Sequence, residues 1–330
     1  MSKRVSMLNR RRFVSGVGAA AIGAAVGSTS AGASEGDEDE TDDEHDEGEG
    51  AGDEGHDDSY DERSTLIAHR GFADTYPENT VAAFEQSTIG EDDDASDRRA
   101  ADWIELDVFP TCDGEIAVFH DEELSDLTDT EGLLYETPAE TVFSAEVLES
   151  GQTVPSLAES MEVIPDDVGV NVDIKNGSRD VEFGRIDDPG TEREEWAWLE
   201  TVIDVATEYE NELLLSTFWE GALATLRGID PDIPAAYLLA SSIEEGLAVT
   251  DEYDCEAIDP PLSMILDAPF FDDAFEEIDI VAEAHDREIP VNVWTINEWY
   301  EVERLIDAGV DGLFLDYAEI VRFGTLSEYR

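Results

Sequence analysis

Short apolar runs alternate with amphipathic segments through the second half of the chain. The runs are three to five residues long, and each of the first four precedes a segment whose apolar positions recur at helical spacing. Apolar strands that alternate with helices are typical of parallel βα units, because the helix provides the crossover. The predicted strand–helix pairs, followed by a last strand, are Leu213–Ser216 with Gly221–Arg227, Ala235–Leu239 with Ser242–Val249, Ala257–Asp259 with Ala274–Asp286, Val291–Thr295 with Glu298–Ala308, and then Gly312–Leu315.

The first half of the folded part adds three strand patterns, separated by longer polar stretches. They lie at Thr65–Ala68, around Ile104–Val108 and at Val168–Ile174, and helical patterns follow at Val81–Thr88, Ser156–Met161 and Trp196–Tyr209. Eight strands in roughly 260 residues predict an α/β fold of the (β/α)8 barrel type. An open doubly wound sheet is the alternative, and it is disfavoured because no glycine-rich phosphate loop follows the first strand.

Two acids interrupt the otherwise apolar second strand. Glu105 and Asp107 are two residues apart, so both carboxylates point to one face of the strand. Like charges on one face of a buried strand are costly to desolvate unless a cation lies between them. Asp113-Gly114 then indicates a tight turn, so a hairpin returns through Glu115–Phe119 and is expected to place His120 opposite Asp107.

Polar residues also follow most of the other strands. The C-terminal ends of barrel strands meet at one mouth, where catalytic residues gather. Lys175 is particularly informative, because the only other lysine of the chain is Lys3. A chain so poor in lysine retains one beside Asp173, which indicates a required point charge near an anion. The polar strand ends are His69, Arg70, Glu105, Asp107, Asp173, Lys175, Ser216, Asp259, Trp294, Asn297 and Asp316.

Together these residue types predict metal-assisted cleavage of a phosphoryl ester. Arg70 and Lys175 would hold a phosphate, while His69 and His120 would transfer protons. An all-oxygen ligand set suits one hard divalent cation, Mg²⁺ or Ca²⁺, rather than Zn²⁺. The ligands predicted for this cation are Glu105, Asp107 and Asp173.

The chain is strongly acidic, with 84 acidic and 18 basic residues and a net charge of −66. Such a field repels phosphate backbones, so nucleic acid is not an expected partner. The acidic residues continue through the folded part, so an acidic tail accounts for only part of the charge. Since 41% of the residues are still hydrophobic, the balance is typical of a protein that works in concentrated salt, where screening weakens self-repulsion.

The first 62 residues read as targeting and spacer sequence. Residues 1–33 combine Arg10-Arg11-Arg12 with an Ala- and Gly-rich apolar stretch, which predicts a twin-arginine signal peptide and an extracellular or cell-surface location. An uncleaved anchor is the alternative, but the stretch is too poor in large residues for stable membrane insertion. Residues 34–62 predict a disordered acidic linker, and residues 63–330 form the predicted catalytic domain. The sequence predicts no oligomeric state.

Several motifs resemble the glycerophosphodiester phosphodiesterase family, and the resemblance covers about Leu66 to Tyr317. Any one motif is weak, but the set is specific. It comprises His69-Arg70-Gly71, Pro77-Glu78-Asn79-Thr80, Ile104-Glu105-Leu106-Asp107-Val108, Asp113-Gly114, His120-Asp121, Asp173-Ile174-Lys175, Val293-Trp294-Thr295-Ile296-Asn297 and Gly309-Val310-Asp311-Gly312.

The resemblance implies a TIM barrel with a small insertion, here about residues 122–153, and hydrolysis of glycerophosphodiesters to glycerol phosphate and an alcohol. The resemblance assigns the general acid/base pair to His69 and His120 and the phosphate clamp to Arg70. It assigns the three metal ligands to Glu105, Asp107 and Asp173, and the phosphate-side lysine to Lys175. Glu78 matches a supporting carboxylate, and Trp294 matches a wall of the glycerol pocket.

Three positions depart from the family pattern. Asp173 stands where the family usually has Glu, Cys112 replaces a usual Lys, and Leu315 precedes Asp316 where Thr is usual. Two other functions are compatible with the same residues. One is a phosphodiesterase that acts on intact lipids, for which Phe270-Phe271 would supply an apolar rim, and the other is a phosphodiester-binding protein without catalysis.

Overall fold

The computed structural model describes residues 64–89, 100–178, 180–275 and 277–320. The predicted signal peptide and acidic linker lie outside these ranges. Within them, no helix is both long enough and apolar enough to cross a bilayer.

Eight parallel strands form a nearly closed barrel, which confirms the predicted fold class. In spatial order the sheet runs β10, β11, β1, β2, β6, β7, β8, β9. Parallel bridges from Ile258 to Val291 and from Pro261 to Trp294 connect the two edge strands. The barrel strands are β1 (Thr65–Ala68), β2 (Trp103–Pro110), β6 (Gly169–Ile174), β7 (Leu213–Thr217), β8 (Ala235–Leu238), β9 (Ala257–Asp259), β10 (Asn292–Ile296) and β11 (Gly312–Leu315).

Helices follow most of the strands and pack outside the barrel. Thr80 and Ser156 cap the first and third helices through hydrogen bonds from Ala83 N and Glu159 N, a position that favours Ser and Thr. The helices are α1 (Val81–Ser87), α2 (Ala139–Val142), α3 (Leu157–Val163), α4 (Leu199–Ala206), α5 (Glu220–Ile229), α6 (Ile243–Glu252), α7 (Ile280–His285) and α8 (Trp299–Asp307).

Two helical predictions are too long. The predicted helix from Ala274 begins only at Ile280, because the Asp279 side chain accepts a hydrogen bond from Ala282 N and caps the helix there. The helix predicted from Trp196 begins at Leu199, after a series of turns. In both cases apolar residues before the helix lie in turns. Helical spacing alone does not distinguish such residues from the apolar face of a helix.

The predicted hairpin and insertion follow β2. Strand β3 (Ile116–Val118) pairs antiparallel with β2, and the small sheet of β4 (Glu146–Val147) and β5 (Gln152–Thr153) lies in the insertion with α2. Phe109 and Phe119 of the hairpin pack with insertion residues in a small hydrophobic cluster separate from the main core. The insertion therefore packs on the hairpin, next to the end of β2.

The barrel interior has an apolar floor below the polar mouth. Successive strand residues point to opposite faces, and the inward residues form a cluster separate from the helix-facing core. Gly169 keeps this floor clear, because a Cβ there would lie 2.2 Å from the Trp103 ring. The floor is built from Ile67, Trp103, Leu214, Ala236, Ala257 and Phe314.

Candidate active site

Two neighbouring strands bring three carboxylates together at the mouth. Asp107 of β2 is in register with Asp173 of β6, and Glu105 lies one inward position earlier on β2. One oxygen from each of these three residues lies within 4.8 Å of the others, and all three side chains are buried. The predicted ligand set is therefore assembled in the structure.

Lys175 lies between two of these carboxylates. Its Nζ is 2.8 Å from Asp107 Oδ1 and 2.6 Å from Asp173 Oδ2, and the residue is only 7% exposed. Burial opposes its charge, but Asp107 and Asp173 raise the pKa of the ammonium above its ordinary value. The lysine that the sequence singled out is therefore a fixed buried cation.

The three carboxylates differ in how well their charges are compensated. Desolvation together with Asp107 and Asp173 raises the pKa of Glu105 well above its usual range. Burial also raises the pKa of Asp173, despite Lys175. Burial opposes ionisation of Asp107 as well, but Lys175, His120 and Arg70 hold its pKa below its usual range. Negative charge is thus concentrated on Asp107 and is costly on Glu105.

Arg70 is held by both its backbone and its side chain. It follows β1 in a 3₁₀ turn, His69–Gly71, with a left-handed φ of 52°, and strain of this kind recurs at functional sites. Its N–H donates to Glu105 Oε2 at 2.7 Å, and its guanidinium donates to Glu78 Oε1 at 2.9 Å. Arg70 Nε also lies 3.4 Å from Asp107 Oδ2. Glu78 therefore supports Arg70 from the mouth side.

Asn79 belongs to the Pro77-Glu78-Asn79-Thr80 motif, but the sequence assigned it no role at the site. It is buried, and its Nδ2 donates to Asp107 Oδ2 at 2.7 Å. The backbone N–H of Asp107 donates in return to Asn79 Oδ1 at 3.3 Å. This two-way contact fixes the orientation of the Asp107 carboxylate. The signal available in sequence was the position of Asn79 directly after Glu78.

His69 is paired with a carboxylate from the last barrel strand. Its Nδ1 lies 2.6 Å from Asp316 Oδ1, and both side chains are mostly buried. The pair forms because β1 and β11 are neighbours, with Ala68 in register with Leu315. The sequence marked Asp316 only as a polar strand end, since 247 positions separate it from His69.

His120 is paired with its own neighbour, as its Nδ1 lies 2.8 Å from Asp121 Oδ1. The predicted hairpin register is wrong by one residue. Val108 pairs with Val118, and Phe119 N donates to Asp107 O, so Phe119 lies across from Asp107. The hairpin turn is one residue longer than the prediction assumed, because Thr111 O accepts a hydrogen bond from Gly114 N before β3 begins. His120 still lies close enough to help lower the pKa of Asp107.

Aromatic side chains border Lys175 on the other side of the mouth. Lys175 Nζ lies 6.0 Å from the centroid of the Phe218 ring. Phe218 contacts Trp294 edge to face, with centroids 5.5 Å apart, and Trp294 Nε1 donates to Asp259 O at 2.7 Å. The structure therefore places Trp294 beside the site through Phe218, which the sequence did not identify.

A further buried acid, Asp259, ends β9. Asp259 is fully buried and accepts a hydrogen bond from Asn292 Nδ2 at 2.9 Å. Desolvation raises its pKa to about 8. No ion pair to Asp259 occurs among the described residues, so burial is not balanced by a positive charge.

The residues at the mouth fit a divalent cation. When ionised, the three clustered carboxylates and Glu78 carry four negative charges, against the two positive charges of Arg70 and Lys175. The buried Asp173 Oδ1 has no hydrogen-bond partner within the described chain, and buried polar atoms without partners are costly. Oxygen donors of this kind are the ligands that Mg²⁺ and Ca²⁺ prefer. Glu105, Asp107 and Asp173 could therefore hold such an ion.

The fold and the mouth together define an α/β barrel with two fixed cations among buried carboxylates. Residues 69–320 match the model of the family described as glycerophosphoryl diester phosphodiesterase. Because this match covers most of the chain, the protein belongs to that family, whose members are phosphoric diester hydrolases.

Individual relatives agree with this assignment. A glycerophosphodiester phosphodiesterase of Bacillus altitudinis is 27% identical over 262 residues, which cover 77% of this chain and 95% of the relative. A solved phosphodiesterase of Oleispira antarctica, in complex with the product sn-glycerol-3-phosphate, is 27% identical, with a TM-score of 0.61 over 79% of this chain and 96% of that chain. The glycerophosphodiester phosphodiesterase of Thermotoga maritima, 22% identical with a TM-score of 0.58 over 81% of this chain and 99% of that chain, supports the fold.

Proposed function

We propose that this protein hydrolyses glycerophosphodiesters to glycerol phosphate and an alcohol by two-histidine general acid/base catalysis. The observation that carries the proposal is the position of two carboxylate-paired histidines beside one cluster of buried acids and fixed cations. His69 and His120 both contribute to the lowered pKa of Asp107. Both histidines therefore lie within electrostatic range of the same carboxylate, as is expected of two groups acting on one phosphorus centre.

The two cations are placed to hold the phosphate. Arg70 has a planar donor group suited to two phosphate oxygens, and Lys175 supplies a point charge. Glu78, Asp107 and Asp173 hold both cations before substrate arrives. Charge that develops on the phosphate oxygens in the transition state would therefore meet preorganised positive groups, which is a major source of catalysis.

The carboxylate partners orient the histidines. Asp316 and Asp121 each contact Nδ1 of their histidine. With Nδ1 engaged, Nε2 is left for proton transfer. One histidine would deprotonate the nucleophile, which is water or the adjacent glycerol hydroxyl, and the other would protonate the leaving alcohol.

One divalent cation, Mg²⁺ or Ca²⁺, is proposed at Glu105, Asp107 and Asp173. When bound, it would supply Lewis-acid stabilisation of phosphate charge. The fit of the buried carboxylates and the uncompensated charge around them support this assignment.

Hydrolysis of a panel of glycerophosphodiesters in high salt tests the proposal. We expect His69→Gln and His120→Gln each to lower kcat by about 10²–10⁴-fold, since each removes a proton-transfer group. His285→Gln is the matched control, because His285 pairs with Asp311 outside the site. Normal turnover by both site variants, or no turnover by the wild type, would contradict the proposal.

A diester with a nitrophenol leaving group would assign the two histidine roles. Such a leaving group needs little protonation, so the variant that lacks the general acid should recover much of its activity on it, whereas the variant that lacks the base should not. Equal losses on both substrates would rule out separate acid and base roles.

Asp316→Asn tests the orientation of His69. The amide cannot stabilise the same protonated imidazole, so we expect kcat to fall by at least about tenfold and the pH–rate profile to shift. A purely structural role would change stability without moving the profile. Asp316→Glu, which restores a carboxylate, should recover part of the rate.

The two other functions receive less support. Phe270 packs against the main hydrophobic core, and neither it nor Phe271 is exposed, so they do not form the apolar rim expected for intact lipids. A binding protein without catalysis would not need two oriented histidines. Turnover of soluble diesters with none on lipid vesicles would exclude both.

We also propose export by the twin-arginine route, to the cell surface or beyond. The support is the sequence of residues 1–33, and the acidic composition favours function in high salt. Replacement of Arg10, Arg11 and Arg12 by lysine should retain the protein inside the cell, as followed by fractionation and activity.

A further inference from the structure

One carboxylate joins the segment that carries His120 to the strand that carries Lys175. Glu122 lies two residues after His120, where the insertion begins, and Asn176 directly follows Lys175. Asn176 Nδ2 donates to Glu122 Oε1 at 2.5 Å, across 54 positions of sequence. Both residues are half-buried. The contact therefore connects two segments that each supply a residue of the candidate site.

The insertion holds the same carboxylate from the other side. Tyr135 OH donates to Glu122 Oε2 at 3.3 Å, and Leu134 N donates to the backbone carbonyl of Glu122 at 2.8 Å. Leu134 is fully buried in the small hydrophobic cluster that the insertion shares with the hairpin. Both carboxylate oxygens are therefore engaged, one by the barrel and one by the insertion.

His120 is held less closely by its surroundings than His69 is. The side chains of His120 and Asp121 are 30% and 31% exposed. Those of His69 and Asp316 are 14% and 13% exposed, and the His69 ring also contacts that of Phe314 edge to face. Asp121 adjoins His120 in the chain, so their contact orients the ring without fixing the backbone that carries both. The position of His120 therefore depends on the anchoring of its backbone.

The backbone on either side of His120 is anchored to the barrel. Before it, Phe119 is buried, and its N–H donates to Asp107 O at 3.0 Å. After it, Glu122 accepts the hydrogen bond from Asn176. A displacement of about 1 Å at a catalytic group can cost about 10²-fold in rate, so the second anchor matters as much as the first.

We propose that Glu122 is a positioning residue, which holds His120 at its working distance from the bound phosphate. This inference rests on the proposed function, because it assigns a role in the same reaction. Glu122 transfers no proton itself. It fixes the loop through Asn176, and the insertion in turn fixes Glu122, so the insertion contributes to catalysis through this one carboxylate.

Loss of the carboxylate should slow turnover only while His120 is present. We expect Glu122→Ala to lower kcat by about tenfold and to change KM by less than about twofold, because the loop no longer holds the imidazole in place. In the His120→Gln background the same substitution should leave the residual kcat unchanged, since no imidazole remains to be positioned. Glu122→Gln should recover most of the rate, because its amide oxygen still accepts from Asn176.

Asn176→Ala tests the same contact from the barrel side. It should lower kcat as Glu122→Ala does, and the double variant should be no slower than either single variant, because all three lack one shared hydrogen bond. If Glu122→Ala does not fold, Asn176→Ala in the two backgrounds makes the same comparison.

Glu146→Ala is the matched control. Glu146 is also a half-buried glutamate of the insertion, but its Oε1 accepts from Gly151 N at 2.8 Å, beside the β4–β5 sheet, so its loss should leave kcat unchanged. Equal losses from Glu122→Ala in both backgrounds would show a general structural role and overturn the inference, as would an unchanged kcat with His120 present. Absence of turnover by the wild type would instead overturn the proposed function.

Discussion

Buried carboxylates occur in two regions of this barrel, and the structure treats them differently. At the mouth, Asp107 lies within salt-bridge distance of both Lys175 and Arg70, and its pKa is lowered. At the end of β9, Asp259 has only the neutral amide of Asn292, and its pKa is raised to about 8. The same side chain, equally buried, is therefore held as an anion in one place and as a neutral acid in the other.

The difference shows what a buried charge needs in order to persist. Taking a carboxylate out of water costs far more than a neutral hydrogen bond returns, so an isolated group takes up a proton instead. At the mouth, two cations offset that cost, and the remaining negative charge suits the proposed divalent ion. The carboxylate whose pKa is lowered, Asp107, lies where the proposed chemistry needs charge.

Lys175→Met should produce the largest change, because it leaves buried carboxylates without their cation, as Asp259 already is. The substitution leaves Asp107 and Asp173 without their shared partner, and breaking a buried ion pair costs about 3–5 kcal/mol. We expect the free energy of unfolding to fall by about that amount in metal-free protein, as measured by denaturant titration. Diester hydrolysis should fall by at least about 10²-fold, because the phosphate loses a preorganised cation.

Lys175→Arg is the matched control for this comparison. It retains the charge but changes the donor geometry, so stability should recover more fully than activity. If Lys175→Met were as stable as the wild type at neutral pH, the cation would not be what keeps Asp107 ionised.

Binding of Mg²⁺ or Ca²⁺ should come next in size. A ligand that binds only the folded state stabilises it by about 2.7 kcal/mol at a hundred times its Kd, so chelation should lower the unfolding temperature correspondingly. Asp259→Asn should respond to the ion as the wild type does, because Asp259 lies outside the mouth cluster. Loss of the ion response in that variant would show that the two regions form one site.

The fold was predictable because its signals are local and repeated. Each apolar strand, together with the helix after it, carries its own pattern, as in Ala257–Asp259 and Gly312–Leu315, whose predicted bounds match the structure. Helix starts were less predictable. A capping residue such as Asp279 sets where the helix begins, whereas the apolar spacing already starts before that residue. The predicted hairpin register was wrong by one residue, since turn geometry rather than the hydrophobic pattern sets the register.

The candidate site was predictable where its residues lie at strand ends. Glu105, Asp107, Asp173 and Lys175 come together because parallel strands end at one mouth. The partners that orient them were not predictable in the same way. Asp316 reaches His69 only through the pairing of the last strand with the first, and Asn79 reaches Asp107 only through a turn with φ of 54°.

Asp259→Asn should have the opposite sign to Lys175→Met. In the unfolded chain Asp259 ionises near its ordinary pKa, whereas in the folded protein it stays protonated to about pH 8. Folding stability is therefore lost as the pH rises from about 4 to about 8, because ionisation favours the unfolded state throughout that interval. The amide does not ionise, so the variant should be more stable by roughly 4 kcal/mol at pH 7 and indistinguishable below about pH 4. Denaturant titrations of both proteins across this pH range measure the difference, and a gain independent of pH would mean that packing, not the buried acid, is responsible.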